Sequence, residues 1–396
     1  VSRFRLYPAS EQAAVMEAHC GHARFVWNLA VEQQSWWTPR RGPAPDYHEQ
    51  SRQLTEARRE FPWLTEGSQT VQQQALRDFA QAMDNYFRGS HRKPTFRKRG
   101  RSEGFRIVAV KSSDIRTVNR RWSEVRVPKV GWVRFRRSRT VPKAKSYRVT
   151  RDRAGRWHVA FAAIPEPIDA PGTGATVGVD RGVAVSAALS TGELLSCPRL
   201  PPTEAQRLVR LQRRLARAKR DSNRRSRLKA QIARVKAREV DRRKDWVEKT
   251  STDLSRRFDL IRVEDLKVRN MTRSARGTGE APGRNVRQKA GLNRAILASG
   301  WGLLVQRLED KAPGRVEKIP AAYTSQCCSA CRHVATESRE SQARFACVAC
   351  GYEDNADVNA ARNIAEGHAV TARGGIGLPK PMNREPQLTA PPPVTA

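Results

Sequence analysis

Four cysteines in the C-terminal part of the chain form two Cys-x-x-Cys pairs. They are Cys328 and Cys331, then Cys347 and Cys350, with fifteen residues between the pairs. Each Cys-x-x-Cys turn can direct two thiolates at one ion, and four thiolates around one ion are typical of a structural zinc site. The spacing therefore predicts a zinc ribbon with one structural Zn2+, because four thiolates leave no open position for catalysis.

The other three cysteines have no such spacing. Cys327 is an alternative to Cys328, although the Cys-x-x-Cys register favours Cys328. Cys20 and Cys197 stand alone, and we interpret both as packing residues. Because five of the seven cysteines cluster, metal binding in a reducing compartment is favoured over disulfides.

Three acidic residues stand at the ends of apolar segments. Asp180 closes the strand-like segment ATVGV, Glu264 closes LIRV, and Asp357 begins the helical segment DVNAARNI. Hard oxygen ligands gathered at such ends suit Mg2+, and two such ions can assist in-line hydrolysis of a phosphodiester. Asp265 and Asp354 are alternative ligands, because each is close in sequence to a favoured acid and strand alternation leaves both faces open.

The net charge indicates a polyanionic partner. Lys and Arg total 75 against 39 acidic residues, which gives a formal net charge of +36 spread along the chain. Nucleic acid is favoured over a membrane surface, since no apolar run approaches the ~20 residues of a membrane-spanning helix. The N-terminal segment has no signal-peptide hydrophobic region, so we expect an intracellular protein.

The remaining pattern predicts two parts. A short strand at 3–7 precedes helical patterns up to about residue 88, and alternating segments at 105–166 predict an antiparallel barrel. A Pro- and Gly-rich linker at 165–174 is the strongest predicted boundary. Beyond it, two strongly basic helices are predicted to break near residues 221–223, and the Pro-rich tail is predicted to be disordered.

Several motifs together resemble one known family. GVDRG at 178–182, VEDL at 263–266 and TSQCCSAC…CVACGY…ADVNAARNI at 324–364 resemble the nuclease motifs and zinc ribbon of the TnpB family. TnpB proteins are RNA-guided nucleases encoded by insertion sequences and are related to type V CRISPR effectors. The N-terminal segments RFRLYPASEQ and HCGHARFVWNLAVEQ are also similar to the family's opening, so the resemblance covers nearly the whole chain.

The resemblance implies a fold of α/β class with an added β-barrel and helical lobe. An RNase H-like (RuvC) nuclease domain with an inserted helical hairpin and a four-cysteine zinc ribbon would follow a wedge-type β-barrel with an inserted helical recognition domain. The implied boundaries are 1–9 and 104–170 for the barrel, 10–103 for the recognition domain, 171–321 and 354–370 for the nuclease domain, 322–353 for the ribbon and 371–396 for the tail.

The resemblance also implies a function. It matches Asp180, Glu264 and Asp357 to the catalytic acids of a single nuclease site that holds Mg2+, with two ions expected and Mn2+ as a substitute. The expected partners are a guide RNA and a double-stranded DNA target with a short flanking motif, and a monomer is favoured. The candidate nucleic-acid contacts are Arg77, Arg97, Lys98 and Arg99, which could equally be generic phosphate-binding residues.

One position departs from the family pattern. The family commonly has glycine after the first Cys-x-x-Cys pair, where this chain has Arg332. The change leaves the four thiolates in place and adds one positive charge.

Other functions remain open at this stage. A compact type V CRISPR effector would share every motif, while a guided DNA-binding repressor would bind without cleaving. A zinc-ribbon DNA-binding protein would need no RNA. A strand-transferring transposase is the weakest alternative, since the sequence has no separate transposase nucleophile.

Overall fold

The computed structural model of the chain describes residues 2–38, 40, 42–101, 103–164 and 166–367. The tail predicted for 371–396 lies outside the described residues. The chain divides into two compact units, one of residues 1–166 with 200–241 and the other of residues 167–199 with 242–396. Among the described helices, none is long and apolar enough to cross a bilayer.

A seven-stranded antiparallel sheet forms the centre of the first unit. Its strand order is β2-β6-β7-β1-β5-β4-β3. Successive side chains of a strand point to opposite faces of the sheet, and one face forms the core: in β1, Phe4 and Leu6 are buried, whereas Arg3 is exposed. The strands are β1 (Ser2–Tyr7), β2 (Glu103–Val108), β3 (Ile115–Thr117), β4 (Trp122–Val127), β5 (Gly131–Arg136), β6 (Ser146–Arg151) and β7 (Trp157–Phe161).

The hydrogen bonding of this sheet differs from the closed barrel expected from the sequence. Within the described residues, β2 and β3 are edge strands that do not pair with each other. The short β3 offers only three residues for pairing, and helices α1 (Ser10–Trp36) and α4 (Gln69–Phe87) contact β2. The sheet is therefore open in its hydrogen bonding, with helices packed against one edge strand.

Helices complete the first unit. Between β1 and β2 the chain forms α1, α2 (Tyr47–Glu60), α3 (Pro62–Glu66) and α4. The unit also includes α5 (Pro202–Arg217) and the first part of α6 (Asn223–Arg257), whose buried leucines Leu208, Leu211 and Leu228 pack together. The break predicted at 221–223 is confirmed, whereas the hairpin, expected within the nuclease domain, groups with the first unit up to residue 241.

A five-stranded mixed sheet forms the centre of the second unit. Its order is β10-β9-β8-β11-β12. Strands β8, β11 and β12 are parallel to one another, β9 pairs antiparallel with β8, and β10 pairs antiparallel with β9. The strands are β8 (Thr176–Asp180), β9 (Ala187–Leu189), β10 (Leu194–Leu195), β11 (Leu260–Glu264) and β12 (Val316–Ile319). The helices that begin in this unit are α7 (Val268–Met271), α8 (Val286–Ser299), α9 (Trp301–Lys311) and α10 (Ala356–Ala365). A two-stranded hairpin, β13 (Arg344–Ala346) with β14 (Glu353–Asn355), leads directly into α10.

Gly178 lets α10 pack directly on β8, and its replacement should be costly. A Cβ at Gly178 would lie 2.0 Å from the Ala361 carbonyl oxygen and 2.4 Å from the Ala365 nitrogen. Since both are backbone atoms, Gly178→Ala must displace α10, and we expect the free energy of unfolding to fall by about 3 kcal/mol. Denaturant titration measures this loss. Gly302→Ala in α9 is the matched control, since a Cβ there meets no atom within 4 Å and should be neutral or stabilising; equal effects of the two would contradict the packing argument.

Candidate functional site

Three elements of the second unit bring the predicted acids to one edge of its sheet. Asp180 is the last residue of β8, and Glu264 is the last residue of β11. These strands are parallel neighbours in which Val179 pairs with Val263, so the two acids are adjacent at the same carboxyl edge. Asp357 lies in the first turn of α10, which contacts both strands.

Each acid is held by its own local contacts. The Thr324 hydroxyl donates a 2.7 Å hydrogen bond to Glu264 Oε1, which counteracts the rise in the Glu264 pKa that burial causes. The side chain of Asn355 caps α10 by accepting from the backbone N–H of Asp357 at 3.0 Å. The site is therefore built from a strand pair and a capped helix start.

The carboxylates destabilise one another's charge. Burial raises the pKa of Asp180 to about 7, and the charges of Glu264 and Asp357 add to this rise. Burial also raises the pKa of Glu264, which is 8% exposed. A raised pKa here means that the ionised cluster lacks sufficient positive charge, which a bound cation would supply.

Arg339 is a cation in direct contact with the cluster, and the sequence analysis missed it. Its Nη2 donates to Asp357 Oδ1 at 3.1 Å, and its charge lowers the pKa of both Asp180 and Glu264. Arg339 lies in the segment between the two Cys-x-x-Cys pairs, which has no periodicity that could mark it. Arg181, which follows Asp180 in GVDRG, is also part of the site: it is buried and donates to the Glu264 carbonyl oxygen.

The two alternative acids lie apart from this cluster. Asp265 points away from the buried side of β11 and is ion-paired with Lys267. Asp354 accepts from the Tyr352 hydroxyl at 2.8 Å and forms an ion pair with Arg362 at 2.7 Å. Both carboxylates therefore have partners that lie outside the acid cluster.

The acid cluster suits a hard cation. Its donors are carboxylate oxygens, the ligands that Mg2+ and Mn2+ prefer, and the pKa of Asp180 shows that they repel one another. In the described part of the chain, only the four cysteines have three or more potential ligand atoms all within 4.8 Å of one another. The carboxylates are more widely spread, with Arg339 against one of them.

The four cysteines have the geometry of a tetrahedral site. Cys328 Sγ lies 3.8 Å from Cys350 Sγ, and Cys331 Sγ lies 3.6 Å from Cys347 Sγ. A tetrahedron with Zn–S bonds of 2.3 Å has S···S edges of about 3.8 Å. Burial alone would raise the pKa of the Cys347 thiol, but the backbone N–H groups of Cys350 and Ala349, with neighbouring thiols, lower it to about 6. The same neighbouring thiols raise the pKa of Cys350 to about 12, so the four sulfurs share protons that a bound Zn2+ would displace.

The two knuckles share one backbone pattern. Cys328 N donates to the His333 carbonyl at 2.9 Å, and Cys347 N donates to the Tyr352 carbonyl at 2.8 Å. Arg332 and Gly351 follow the pairs with φ of +67° and +72°. The left-handed conformation explains why glycine suits this position. Arg332 adopts it nevertheless, and its side chain contacts Asn363 and Glu366 of α10 and its end.

Cys327 is excluded from the thiolate cluster and instead connects the ribbon to α10. It is buried outside the four-sulfur group, and its carbonyl oxygen accepts from Asn359 Nδ2 at 2.8 Å and Asn363 Nδ2 at 2.7 Å. Both asparagines project from the helix that carries Asp357. The ribbon and the acid cluster are thus linked through one helix.

The four candidate nucleic-acid contacts lie in different surroundings of the first unit. Arg97 is half-buried, with its guanidinium 3.5 Å from the centre of the Trp27 ring, and burial lowers its pKa to about 10. Arg77 donates to the Tyr47 hydroxyl at 3.1 Å, and both arginines line a polar cavity of about 410 Å³. Lys98 is exposed, and Arg99 lines a different cavity. Their roles stay predictions.

Comparison with known proteins identifies the family. A relative from Escherichia coli (strain K12), named "Putative RNA-guided DNA endonuclease InsQ", is 37% identical over 394 residues, covering 97% of this chain and 96% of its own. The chain belongs to the IS605 OrfB/TnpB family. A second relative, from Streptomyces pristinaespiralis and named "Putative RNA-guided DNA endonuclease", is 32% identical over 384 residues, covering 94% of this chain and 90% of its own.

Family models match three segments of this OrfB/TnpB chain. Residues 158–275 match OrfB_IS605, described as "Probable transposase", and residues 301–364 match the "Cas12f1-like, TNB domain". Residues 2–42 match HTH_OrfB_IS605, a "Helix-turn-helix domain". In the structure, the described residues of this last segment form β1 and the single helix α1, so its label does not describe the local fold.

The fold itself is Cas12f-like. A solved structure titled "Cryo-EM structure of the Cas12f1-sgRNA-target DNA complex" superimposes with a TM-score of 0.55 at 14% identity, covering 90% of this chain and 83% of that chain. In sequence, Cas12f1 of Sulfoacidibacillus thermotolerans is 55% identical over only 56 residues, 14% of this chain and 13% of its own.

Proposed function

We propose that this OrfB/TnpB protein is an RNA-guided DNA endonuclease with a single RuvC-like active site at Asp180, Glu264 and Asp357. The observation that carries the proposal is the convergence of these acids from β8, β11 and α10, with the pKa of Asp180 raised to about 7. Membership of a family whose relatives bear the name RNA-guided DNA endonuclease supplies the activity class.

The chain's own residues would prepare the site for hydrolysis. The three carboxylates would hold two Mg2+ ions, for which Mn2+ could substitute. When bound, these ions would supply an activated water and would neutralise charge on the phosphate. Thr324 orients Glu264, and the Asn355 cap orients the first turn that carries Asp357. Arg339 is a second source of positive charge at Asp357, and it would be free to face a phosphate once a cation occupies the carboxylates.

The partners follow from charge and family. A net charge of +36 suits a large polyanion, and we propose a guide RNA and a double-stranded DNA target with a short flanking motif. Base pairing to the guide would supply sequence specificity, while the protein would supply shape recognition and the nuclease site. Such a protein would act as a monomer in the cytoplasm, at the nucleoid.

Two alternatives share much of this description. A CRISPR-encoded effector has the same chemistry, but residues 158–275 match the OrfB_IS605 model, described as "Probable transposase", whereas the Cas12f1 sequence match covers 14% of the chain. A guided repressor would bind without cutting, but all three acids are present and gathered. Both observations favour a cleaving, transposon-encoded nuclease.

The direct test begins with RNA that co-purifies with the protein. Sequencing should return one RNA species from the gene's own locus, and changing its target-pairing segment should redirect cleavage to a matched DNA duplex. Cleavage should require Mg2+ and stop with EDTA. A matched duplex that is bound but never cut in Mg2+ or Mn2+ would instead support the repressor, and DNA affinity that is equal with and without RNA would support a plain DNA-binding protein.

A further inference from the structure

A second cavity of the first unit has no role in the site described above. It has a volume of about 640 Å³ and is lined by residues of α1, the segment before β2, the β6–β7 turn and α6. Its lining is apolar at Ala18, Cys20 and Trp157. The remainder is dominated by arginine, which is unusual for a cavity that merely reflects imperfect packing.

Charge pairing inside the cavity leaves three arginines unneutralised. Each acid in the lining has its own arginine: Glu103 is paired with Arg24, Glu17 with Arg151, and Asp152 with Arg156. The remaining arginines in the lining are Arg99, Arg153 and Arg234. All three are exposed, and within the described residues none forms an ion pair. The cavity therefore has an excess of positive charge that converges from three separate elements.

We propose that this cavity binds one unpaired nucleotide of the guide RNA, with its phosphate on Arg99, Arg153 and Arg234. The proposal rests on the proposed function and names a site for its RNA partner. The volume accommodates a single nucleotide, and planar guanidinium groups both bind phosphate in a bidentate manner and stack on bases. The exposed Ala18 offers the base an apolar contact at the wall of the cavity.

The shape of the site favours single-stranded RNA over a DNA duplex. A duplex presents its phosphates on a smooth outer surface, which a basic groove or helix face can follow without any cavity. A concave pocket of this size instead suits a nucleotide that leaves its stack, and such nucleotides occur in the loops and bulges of structured RNA. The basic helices α5 and α6 remain available for the backbone of any duplex.

The first test removes the three charges. The triple variant Arg99→Ala, Arg153→Ala, Arg234→Ala should bind the RNA recovered from the wild-type protein at least about 10-fold more weakly at 0.15 M salt. The control triple Arg59→Ala, Arg120→Ala, Arg126→Ala removes the same charge from exposed positions outside the cavity and should lose about 3-fold or less. Equal losses in the two triple variants would overturn the proposal, because they would show only general electrostatic attraction.

The second test fills the cavity without changing its charge. Ala230→Trp, from α6, should also weaken RNA binding at least about 10-fold, whereas Ser226→Trp, one turn earlier and outside the lining, should not. Thermal unfolding checks that both variants fold. A further measurement needs no filling variant: 2′-hydroxyl acylation probing, which reads all four nucleotides, should show one unpaired nucleotide protected by the wild type and reactive with the cavity triple variant. Unchanged reactivity would overturn the proposal.

The outcomes separate this inference from the proposed function. If no RNA co-purifies with the wild-type protein, the proposed function itself fails. If every variant retains RNA with wild-type affinity, only the cavity assignment fails. If RNA affinity is unchanged but guide-loaded protein loses affinity for target DNA, the cavity serves DNA and the inference is wrong.

Discussion

Replacing Asp180 by alanine should lower the rate of DNA cleavage by at least about 10³-fold while leaving RNA and target binding at wild-type levels. The reason is that Asp180 is adjacent to Glu264 across the strand pair and shares the charge of Asp357, so the cluster loses its central donor. Cleavage of a guide-matched duplex in Mg2+ measures the first quantity, and a filter-binding assay measures the second. Glu264→Ala and Asp357→Ala should behave alike.

The alternative acids provide matched controls for this result. Asp265→Ala removes a carboxylate one residue from Glu264, and Asp354→Ala removes one three residues from Asp357. Asp265 is ion-paired with Lys267, and Asp354 is ion-paired with Arg362. Both variants should keep cleavage within about 3-fold of wild type, since exposed or locally paired charges contribute little. Full activity in any favoured-acid variant, or a loss in Asp265→Ala as large as that in Asp180→Ala, would contradict the assignment.

The sequence predicted the parts of the site that depend on local pattern. Asp180 and Glu264 end apolar strands, and that pattern places them at a strand end whatever the rest of the chain does. The cysteine spacing likewise predicts two thiolate turns, because each turn is local. Strand alternation left both faces open for Glu264 and Asp265, and only the packing of β11 decides that Glu264 is buried.

The features that sequence reasoning missed all depend on contacts between distant segments. Arg339 reaches Asp357 from a segment without periodicity, so no local pattern distinguishes it from the other arginines. The predicted barrel required knowledge of which strands pair at the edges, and the helices beside β2 decide that. The placement of the helical hairpin within the nuclease domain stays a prediction from the family resemblance; that its leading part groups with the first unit depends on tertiary contacts that no local pattern reveals.

Replacing Cys347 by serine should abolish zinc binding and, with it, cleavage. Four thiolates would hold the ion, and a structural site of this kind contributes about 10–16 kcal/mol of binding free energy to folding, so the loss of one ligand should unfold the ribbon. Elemental analysis should show about one zinc per wild-type chain and close to none in the variant. The ribbon should also become sensitive to proteolysis between the two knuckles.

Cys327→Ser is the matched control for this change. Cys327 is a buried cysteine beside the first pair, but its sulfur lies outside the four-thiolate cluster, so the variant should keep its zinc. If Cys327→Ser lost the metal and Cys328→Ser retained it, the ligand register would be wrong. An unchanged zinc content in Cys347→Ser would rule out the four-thiolate site altogether.

The loss of cleavage in Cys347→Ser should follow from geometry and not from chemistry at the zinc. The ribbon carries Arg339 to Asp357, and the carbonyl of Cys327 holds Asn359 and Asn363 on α10. Unfolding the ribbon removes these contacts, so α10 should lose the support that positions Asp357. An intermediate variant separates the two effects: Asn359→Ala keeps all four thiolates, and it should retain zinc while lowering cleavage about 10-fold or more. If cleavage persists in zinc-free Cys347→Ser, the ribbon does not position the third acid.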